Sequence, residues 1–163
     1  MKLQKINEYN KLVFDQMFED YLEELNEYFY IPTDDNNRRG NEWLQYYYES
    51  SFHEGYLLQD DNQFIGFCLI CNTTFNLKDD RLFLSEFYIS KNNRKNHYGK
   101  HFAKKVFNLY PGKWELSVHP KNLISIKFWD NVINDIDKNY IKTKDIPNIF
   151  DDILGIVYDF QVN

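Results

Sequence analysis

The run Ser85-Glu86-Phe87-Tyr88-Ile89-Ser90-Lys91-Asn92-Asn93-Arg94-Lys95-Asn96-His97-Tyr98-Gly99-Lys100 concentrates the residue types that could hold an anionic group. Its pattern reads as a strand ending at Ile89 or Ser90, a basic Asn-rich loop, and a helix opening near Tyr98. Such a junction aims backbone N–H groups and the positive end of a helix dipole at one point. That arrangement suits a pyrophosphate. Arg94, Lys95 and Lys100 add side-chain charge, and Gly99 lets a ligand approach the backbone closely. The same loop also reads as a solvated basic turn, so it needs support from elsewhere in the chain. Other constellations carry less. His97 and His101 stand four apart at a helix start, a metal-pair spacing, but no carboxylate or Cys ligand falls beside them, and no metal is expected. No Gly-x-Ser-x-Gly elbow and no Walker loop occurs. The Tyr46-Tyr47-Tyr48 run could line a small pocket or be divided between core and surface.

These residues need elements to hold them. Lys2 to Ile6 reads as a short strand. Asn10 to Phe29 reads as a helix, with Leu12, Val13, Met17, Tyr21, Leu25 and Tyr28 at helical spacing and acids between them. A polar loop from Pro32 to Gly40 leads to a second helix, Asn41 to Phe52. The period then changes. Gly55 to Gln59 and Gln63 to Thr73 read as strands joined by a turn at Asp60-Asp61-Asn62, and Arg81 to Ile89 follows the turn Asn76 to Asp80. Tyr98 to Tyr110 is helical with Tyr98, Phe102, Val106 and Phe107 on one face, and Pro111-Gly112 stops it. Lys113 to Val118 is a strand, Asn122 to Ile133 a helix, and Asp137 to Lys144 and Ile153 to Phe160 are final strands. The order β-α-α-β-β-β-α-β-α-β-β is an α/β mixed sheet: its central strand-helix-strand unit requires a parallel crossover among antiparallel neighbours.

A chain of 163 residues fits one domain spanning residues 1–163 and can bury a core without staples. Net charge is −6 and unevenly spread: residues 1–60 hold five Lys/Arg against 13 Asp/Glu, and the remainder fourteen against 12. A polyanionic ligand is better received by the second part and a cationic one by the first. The acidity and the lack of a basic stripe argue against nucleic acid. Cys68 and Cys71, three apart on a strand, point to opposite faces and so should not pair, which fits a reducing compartment. The N-terminus shows no apolar signal region and no run reaches the roughly 20 apolar residues of a membrane span. A cytoplasmic location and no membrane contact are the expectations; the sequence leaves the oligomeric state open, a homodimer among the options.

Several segments together resemble the GNAT (Gcn5-related N-acetyltransferase) superfamily. Phe87-Tyr88-Ile89 resembles the strand end of its motif A. Arg94, His97 and Gly99 fall on the marked positions of Arg/Gln-x-x-Gly-x-Gly/Ala, with His97 in place of the first glycine. Asn122-Leu123-Ile124-Ser125-Ile126-Lys127-Phe128-Trp129 resembles motif B, Asn-x-x-Ala-x-x-Phe-Tyr, with Ser125 for Ala and Trp129 for Tyr. Either motif alone is weak; in register on the right elements they are fairly specific.

The resemblance implies the GNAT acyl-CoA N-acyltransferase fold, acetyl-CoA as cofactor, and direct transfer of an acetyl group to an amine in a ternary complex. It implies that Phe87, Tyr88 and Ile89 pair with the pantetheine arm, that Arg94, Lys95, His97, Tyr98, Gly99 and Lys100 cradle the pyrophosphate, and that Asn122 and Phe128 flank the arm. A general base contributes about 10²–10⁴-fold to such a reaction. Glu86 stands where polyamine-type relatives carry an acid. It could act through water, anchor an ammonium, or be a strand-end carboxylate in a salt bridge. His119, at the end of the neighbouring strand, is the second candidate. Trp129 stands where many family members carry a general-acid Tyr, so Tyr88, Tyr98 or no group at all would serve the leaving thiolate. The acidic first sixty residues favour a small cationic amine as partner. An alternative is a non-catalytic acyl-CoA-binding sensor or interaction module, motivated by Trp129 and His97. An action on charged tRNA is disfavoured by the net charge.

Overall fold

Short polar turns cut the chain into elements of alternating period, and a computed structural model describes them over residues 1–35, 53–72, 80–147 and 154–163. In chain order they are β1 (Lys2–Lys5), α1 (Lys11–Leu25), β2 (His53–Asp60), β3 (Gln63–Cys71), β4 (Leu82–Ile89), a 3₁₀ turn (Lys91–Asn93), α2 (Tyr98–Leu109), β5 (Gly112–Val118), α3 (Leu123–Asn134), β6 (Ile141–Pro147) and β7 (Leu154–Val162). The helix expected at Asn41 to Phe52, with Tyr46, Tyr47 and Tyr48, lies outside the described residues. So do residues 36–40 of the loop before it and most of the turn that starts at Asn76. The other expected elements are present, with ends displaced by a few residues. Two ends move by four residues: α1 stops at Leu25 rather than Phe29, and β6 begins at Ile141 rather than Asp137. Asp137 is occupied in a turn: its carboxylate accepts from Asn139 N at 2.8 Å and from Gln161 N at 2.9 Å.

The strands hydrogen-bond in the order β1-β2-β3-β4-β5-β7-β6. β1 runs antiparallel to β2. β4 runs parallel to β5, with Leu82, Phe83 and Leu84 opposite Trp114, Glu115 and Leu116. β7 is antiparallel to both β5 and β6. This is the mixed sheet that the element order required, its parallel pair joined through α2.

The residues group into two compact units, Met1–Leu69 with Glu86–Asn93, and Ile70–Ser85 with Arg94–Asn163. In the first, α1 buries Phe14, Phe18 and Leu22 against Leu57, Phe67, Leu69 and Tyr88, with Met17, Tyr21 and Leu25 at the margin. The apolar face expected from Leu12 and Val13 is therefore corrected: Leu12 is 83% and Val13 40% exposed. A helix turns about 100° per residue, so Leu12 stands about 200° from Phe14 and cannot share its face. The phenylalanines decide because each buries more area than any competing side chain on the helix, about 1.5–3 kcal/mol each. A side-chain cap, worth about 1 kcal/mol, is not used at this helix start. Asn10 instead accepts from Asn7 N at 2.8 Å and donates to Lys5 O at 3.0 Å, fastening α1 to the end of β1.

In the second unit Phe107 is the hub. Its ring lies edge-on to Trp114 at 4.8 Å and to Phe160 at 5.1 Å, and 6.3 Å from Trp129. Trp114 is buried without loss because its indole N–H donates to Tyr110 O at 2.9 Å. Cys68 and Cys71 are both buried and form no disulfide; burial pushes the Cys68 thiol far up. Among the described residues no helix is long and apolar enough to cross a membrane.

Gly66 on β3 shows how closely β3 packs beside the second half of β4. Ser90 N donates to Ile65 O at 3.0 Å. A Cβ on Gly66 would fall inside van der Waals contact with the Tyr88 carbonyl oxygen and 2.7 Å from Ile89 Cδ1. One of these is backbone and cannot step aside cheaply. Gly66→Ala is therefore expected to destabilise the protein by about 1–3 kcal/mol, read as a lowered urea midpoint; an unchanged midpoint would mean β4 is not held against β3 in this way.

Candidate active site

β4 alternates its side chains, so the strand that buries Tyr88 into the aromatic cluster turns Glu86 to the same face two residues earlier. Glu86 keeps some exposed surface, yet its carboxyl is enclosed, and burial raises its pKa to about 7. The Tyr21 hydroxyl donates to Glu86 Oε2 at 2.5 Å, which opposes that rise. Tyr21 itself is pushed well above its ordinary value, first by burial, then by the charge and hydrogen bond of Glu86 and the charge of Glu24. It therefore stays a donor at every pH at which the protein works. Among the described residues Glu86 makes no salt bridge; its partner there is a neutral phenol. Tyr21 was expected only as one member of an apolar stripe. Its hydroxyl was the available signal, because a phenol on the margin of a buried face must find an acceptor.

The loop after β4 has an unusual backbone. Lys95 and His97 both take positive φ, 69° and 60°. His97 is the N-cap of α2, in the left-handed region, with its carbonyl accepting from His101 N at 3.1 Å. The position where the resemblance places a glycine therefore does have the conformation that favours glycine, and His97 supplies it at a cost of about 1–2 kcal/mol. Such strain persists where surrounding structure enforces it and gathers at ligand-binding loops. The side chains of Arg94, Lys95 and His97 are exposed. Gly99, with no side chain, sits in the opening turn of α2 beside Tyr98 and Lys100. The Lys100 ammonium is not directed at the loop: it lies 2.6 Å from Asp135 Oδ2, which Lys104 shares at 3.1 Å. Left-handed backbone, a helix N-terminus, exposed cations and a glycine in one short segment fit a pyrophosphate.

The remaining candidates lie in the second unit. His119 follows β5, and its Nδ1 accepts from Lys121 N at 3.2 Å, so Nε2 carries the proton in the neutral ring. Burial and the Lys121 charge hold its pKa below the usual value. Asn122 N donates to His119 O at 2.9 Å, and Asn122 Oδ1 caps α3 by accepting from Ser125 N at 3.0 Å. The Asn-x-x-Ser spacing thus has a local cause, the cap itself. Phe128 stands edge-on to Trp129 at 4.8 Å, and Trp129 is buried. Among the described residues no group of three or more His, Cys, Asp or Glu side chains is placed to hold a metal ion.

A mixed sheet of this order, with a basic left-handed loop opening the helix between its parallel strands, is the arrangement of a CoA-dependent acyltransferase. Residues 14–132 match the acetyltransferase (GNAT) family, and the chain belongs to it. Solved structures agree. An acetyltransferase of the GNAT family from Staphylococcus aureus MU50 is 17% identical with a TM-score of 0.66, over 99% of each chain. Ribosomal-protein-alanine N-acetyltransferase from Brucella melitensis is 12% identical with a TM-score of 0.64, over 99% of this chain and 100% of that one. Spermidine N-acetyltransferase from Vibrio cholerae, in complex with CoA and spermine, is 8% identical with a TM-score of 0.67, over 98% of this chain and 94% of that one. At these identities the likeness is one of fold. No curated protein matches the sequence. GNAT acetyltransferases use acetyl-CoA, and acetyl-CoA is the cofactor here.

Two outcomes follow from the geometry. His97→Gly should stabilise the protein by up to about 1 kcal/mol, since glycine escapes the left-handed penalty but loses more chain entropy on folding. His97→Val should destabilise it by at least as much, and equal thermal midpoints for the two variants would contradict the positive φ. The second concerns pH. A Glu carboxyl titrates near 4.5 in water and about 7 here. The folded chain favours the protonated form, so the penalty is absent below about pH 4.5, grows as pH rises and is complete above 7. Glu86→Gln should therefore gain on the wild type by on the order of 1–3 kcal/mol between pH 5 and pH 8, allowing for the residue's remaining exposure. Denaturant midpoints at the two pH values check this; a constant difference would mean the carboxyl is well solvated.

Proposed function

We propose that the protein transfers the acetyl group of acetyl-CoA to the nitrogen of a primary amine, a small cationic acceptor, by direct attack in a ternary complex. The observation that carries this reading is Glu86, an enclosed carboxyl with a pKa of about 7. A general base is most effective when its pKa lies near the working pH. As a carboxylate it also offers the counter-charge that an ammonium needs on entering. α1 adds further acidic residues, among them Glu24, whose charge is felt at Tyr21.

In this reading Arg94, Lys95, His97, Tyr98, Gly99 and Lys100 hold the pyrophosphate, Lys100 through its place in the opening turn rather than its ammonium, which Asp135 engages. Phe87, Tyr88 and Ile89 offer strand backbone to the pantetheine arm, and Asn122 and Phe128 flank it. Acetyl-CoA supplies the thioester carbonyl that the amine attacks. The acceptor ammonium gives one proton to Glu86. The neutral nitrogen forms the amide bond as the C–S bond breaks, its second proton leaves with the thiol, and Glu86 returns its own to water. His119 has its lone-pair nitrogen engaged by Lys121 N, which suits it to donating rather than accepting.

A second reading, an acyl-CoA-binding module without turnover, has one observation in its favour. Trp129, at the position of the family's general-acid Tyr, is buried among Phe107 and Phe128 and has no acidic proton.

The test is an acceptor panel of diamines, polyamines, neutral amines and acidic amines, with thiol release followed against pH. Cationic amines should turn over, with kcat/KM rising through about pH 7 as Glu86 loses its proton, and Glu86→Gln should lose roughly 10²-fold or more. Turnover confined to neutral or acidic acceptors sinks the acceptor class. Calorimetric binding of acetyl-CoA without any transfer favours the second reading.

A further inference from the structure

The hydrogen bond between Tyr21 and Glu86 joins residues far apart in sequence, from the second half of α1 to the second half of β4, within one compact unit. The Tyr21 ring is held from several sides. Phe18 lies 6.0 Å away, Phe67 meets it edge-on at 5.6 Å, and Tyr88 lies 5.7 Å away. Phe67 in turn contacts Phe14, Phe18 and Tyr88. A ring so enclosed has its direction fixed, and its hydroxyl points to one place. Packing would be served equally well by phenylalanine; the hydroxyl is what remains to be explained.

We propose that Tyr21 is a positioning residue for acetyl transfer: it fixes Oε2 of Glu86, leaves Oε1 as the oxygen that meets the acceptor's proton, and stabilises the carboxylate form of Glu86 within its enclosure. The inference rests on Glu86 being the base. Several observations favour it. Among the described residues Tyr21 is the side-chain donor to the Glu86 carboxyl. The hydrogen bond works against burial, which on its own would carry Glu86 further from its ordinary value. A donor that itself ionised would be useless for this, and Tyr21 is held protonated by burial and by the neighbouring acids. Among the described residues the charged neighbour is Glu24, on the same helix, whose charge is felt at Tyr21 and whose Oε1 lies 4.0 Å from the Lys91 ammonium on the turn after β4. From β4 the facing group is Tyr88, and from β3 the packed neighbour is the apolar Phe67. The pair is therefore set chiefly by burial and by each other. The spacing also makes sense of the helix. Tyr21 follows Phe18 by three residues and Phe14 by seven, so it lies along the edge of the buried stripe, where a side chain can pack its ring and still reach out with its tip.

The test reads Glu86 directly. Carboxyl-¹³C glutamate labelling, assigned by Glu86→Gln, gives the Glu86 titration midpoint by NMR in the wild type, in Tyr21→Phe and with 3-fluorotyrosine placed at position 21. Phenylalanine keeps the ring and removes the donor; the fluorinated phenol is a stronger donor. The midpoint should rise by about one pH unit in Tyr21→Phe and fall with fluorotyrosine, since a hydrogen bond to a charged group shifts the equilibrium by about tenfold. The acid limb of kcat/KM for an accepted amine should move with it. Tyr21→Phe is then about tenfold slow below pH 7 and recovers above about pH 9. A midpoint unmoved in both variants overturns the proposal and leaves Tyr21 a packing residue. A midpoint that moves while the rate profile stays in place overturns Glu86 as the base, while its coupling to Tyr21 stands.

Discussion

A carboxyl placed on a strand inside a sheet has to be satisfied by something, and what satisfies it decides what it can do. Were Glu86 paired with a lysine or arginine, it would be held ionised far below neutrality and would be a weak base. Were it enclosed without a donor, it would keep its proton to higher pH and serve as a base only in more alkaline solution. A neutral phenol from α1 lies between these cases. The aromatic packing of α1 on the sheet is what brings that phenol into reach. Phe14 and Phe18 fix the rotation of the helix, the rotation fixes Tyr21, and Tyr21 fixes the carboxyl. The hydrophobic core and the setting of that carboxyl are thus a single arrangement.

The loop after β4 shows a different way of meeting a constraint. A turn that must open a helix sharply after a strand calls for left-handed backbone, which glycine adopts without strain. Here Lys95 and His97 adopt it instead. The chain accepts a local penalty and obtains in return a cationic side chain and an imidazole at positions where glycine would offer nothing. The neighbouring Lys100, by contrast, spends its charge inside the fold, since Asp135 binds it together with Lys104 and ties the start of α2 to the end of α3.

Much of the fold was legible because the sequence punctuates itself. Pro111-Gly112 ends α2 where expected, and the short apolar runs of β3, β4 and β7 between polar turns mark them as strands. The loop was legible as a strand-to-helix junction, although Lys95 and His97 take left-handed backbone that their types resist, His97 at the position where the resemblance places a glycine. The rotation of α1 was not legible from periodicity alone, because Leu12 and Val13 compete with Phe14 and Phe18 for the same pattern, and only the depth of the core settles the contest. The partner of Glu86 was hidden for a related reason. Nothing along the sequence links position 21 to position 86, and a tyrosine in an apolar stripe looks like packing until its hydroxyl is seen to have a destination.

The two cysteines bear on how the acyl group travels. Both are enclosed in β3, and burial keeps the Cys68 sulfur protonated far beyond neutrality. A thiol in that state is a poor nucleophile and out of reach of a bulky thioester. Neither cysteine is therefore placed to carry an acetyl group between donor and acceptor, and the direct attack proposed above asks nothing of them.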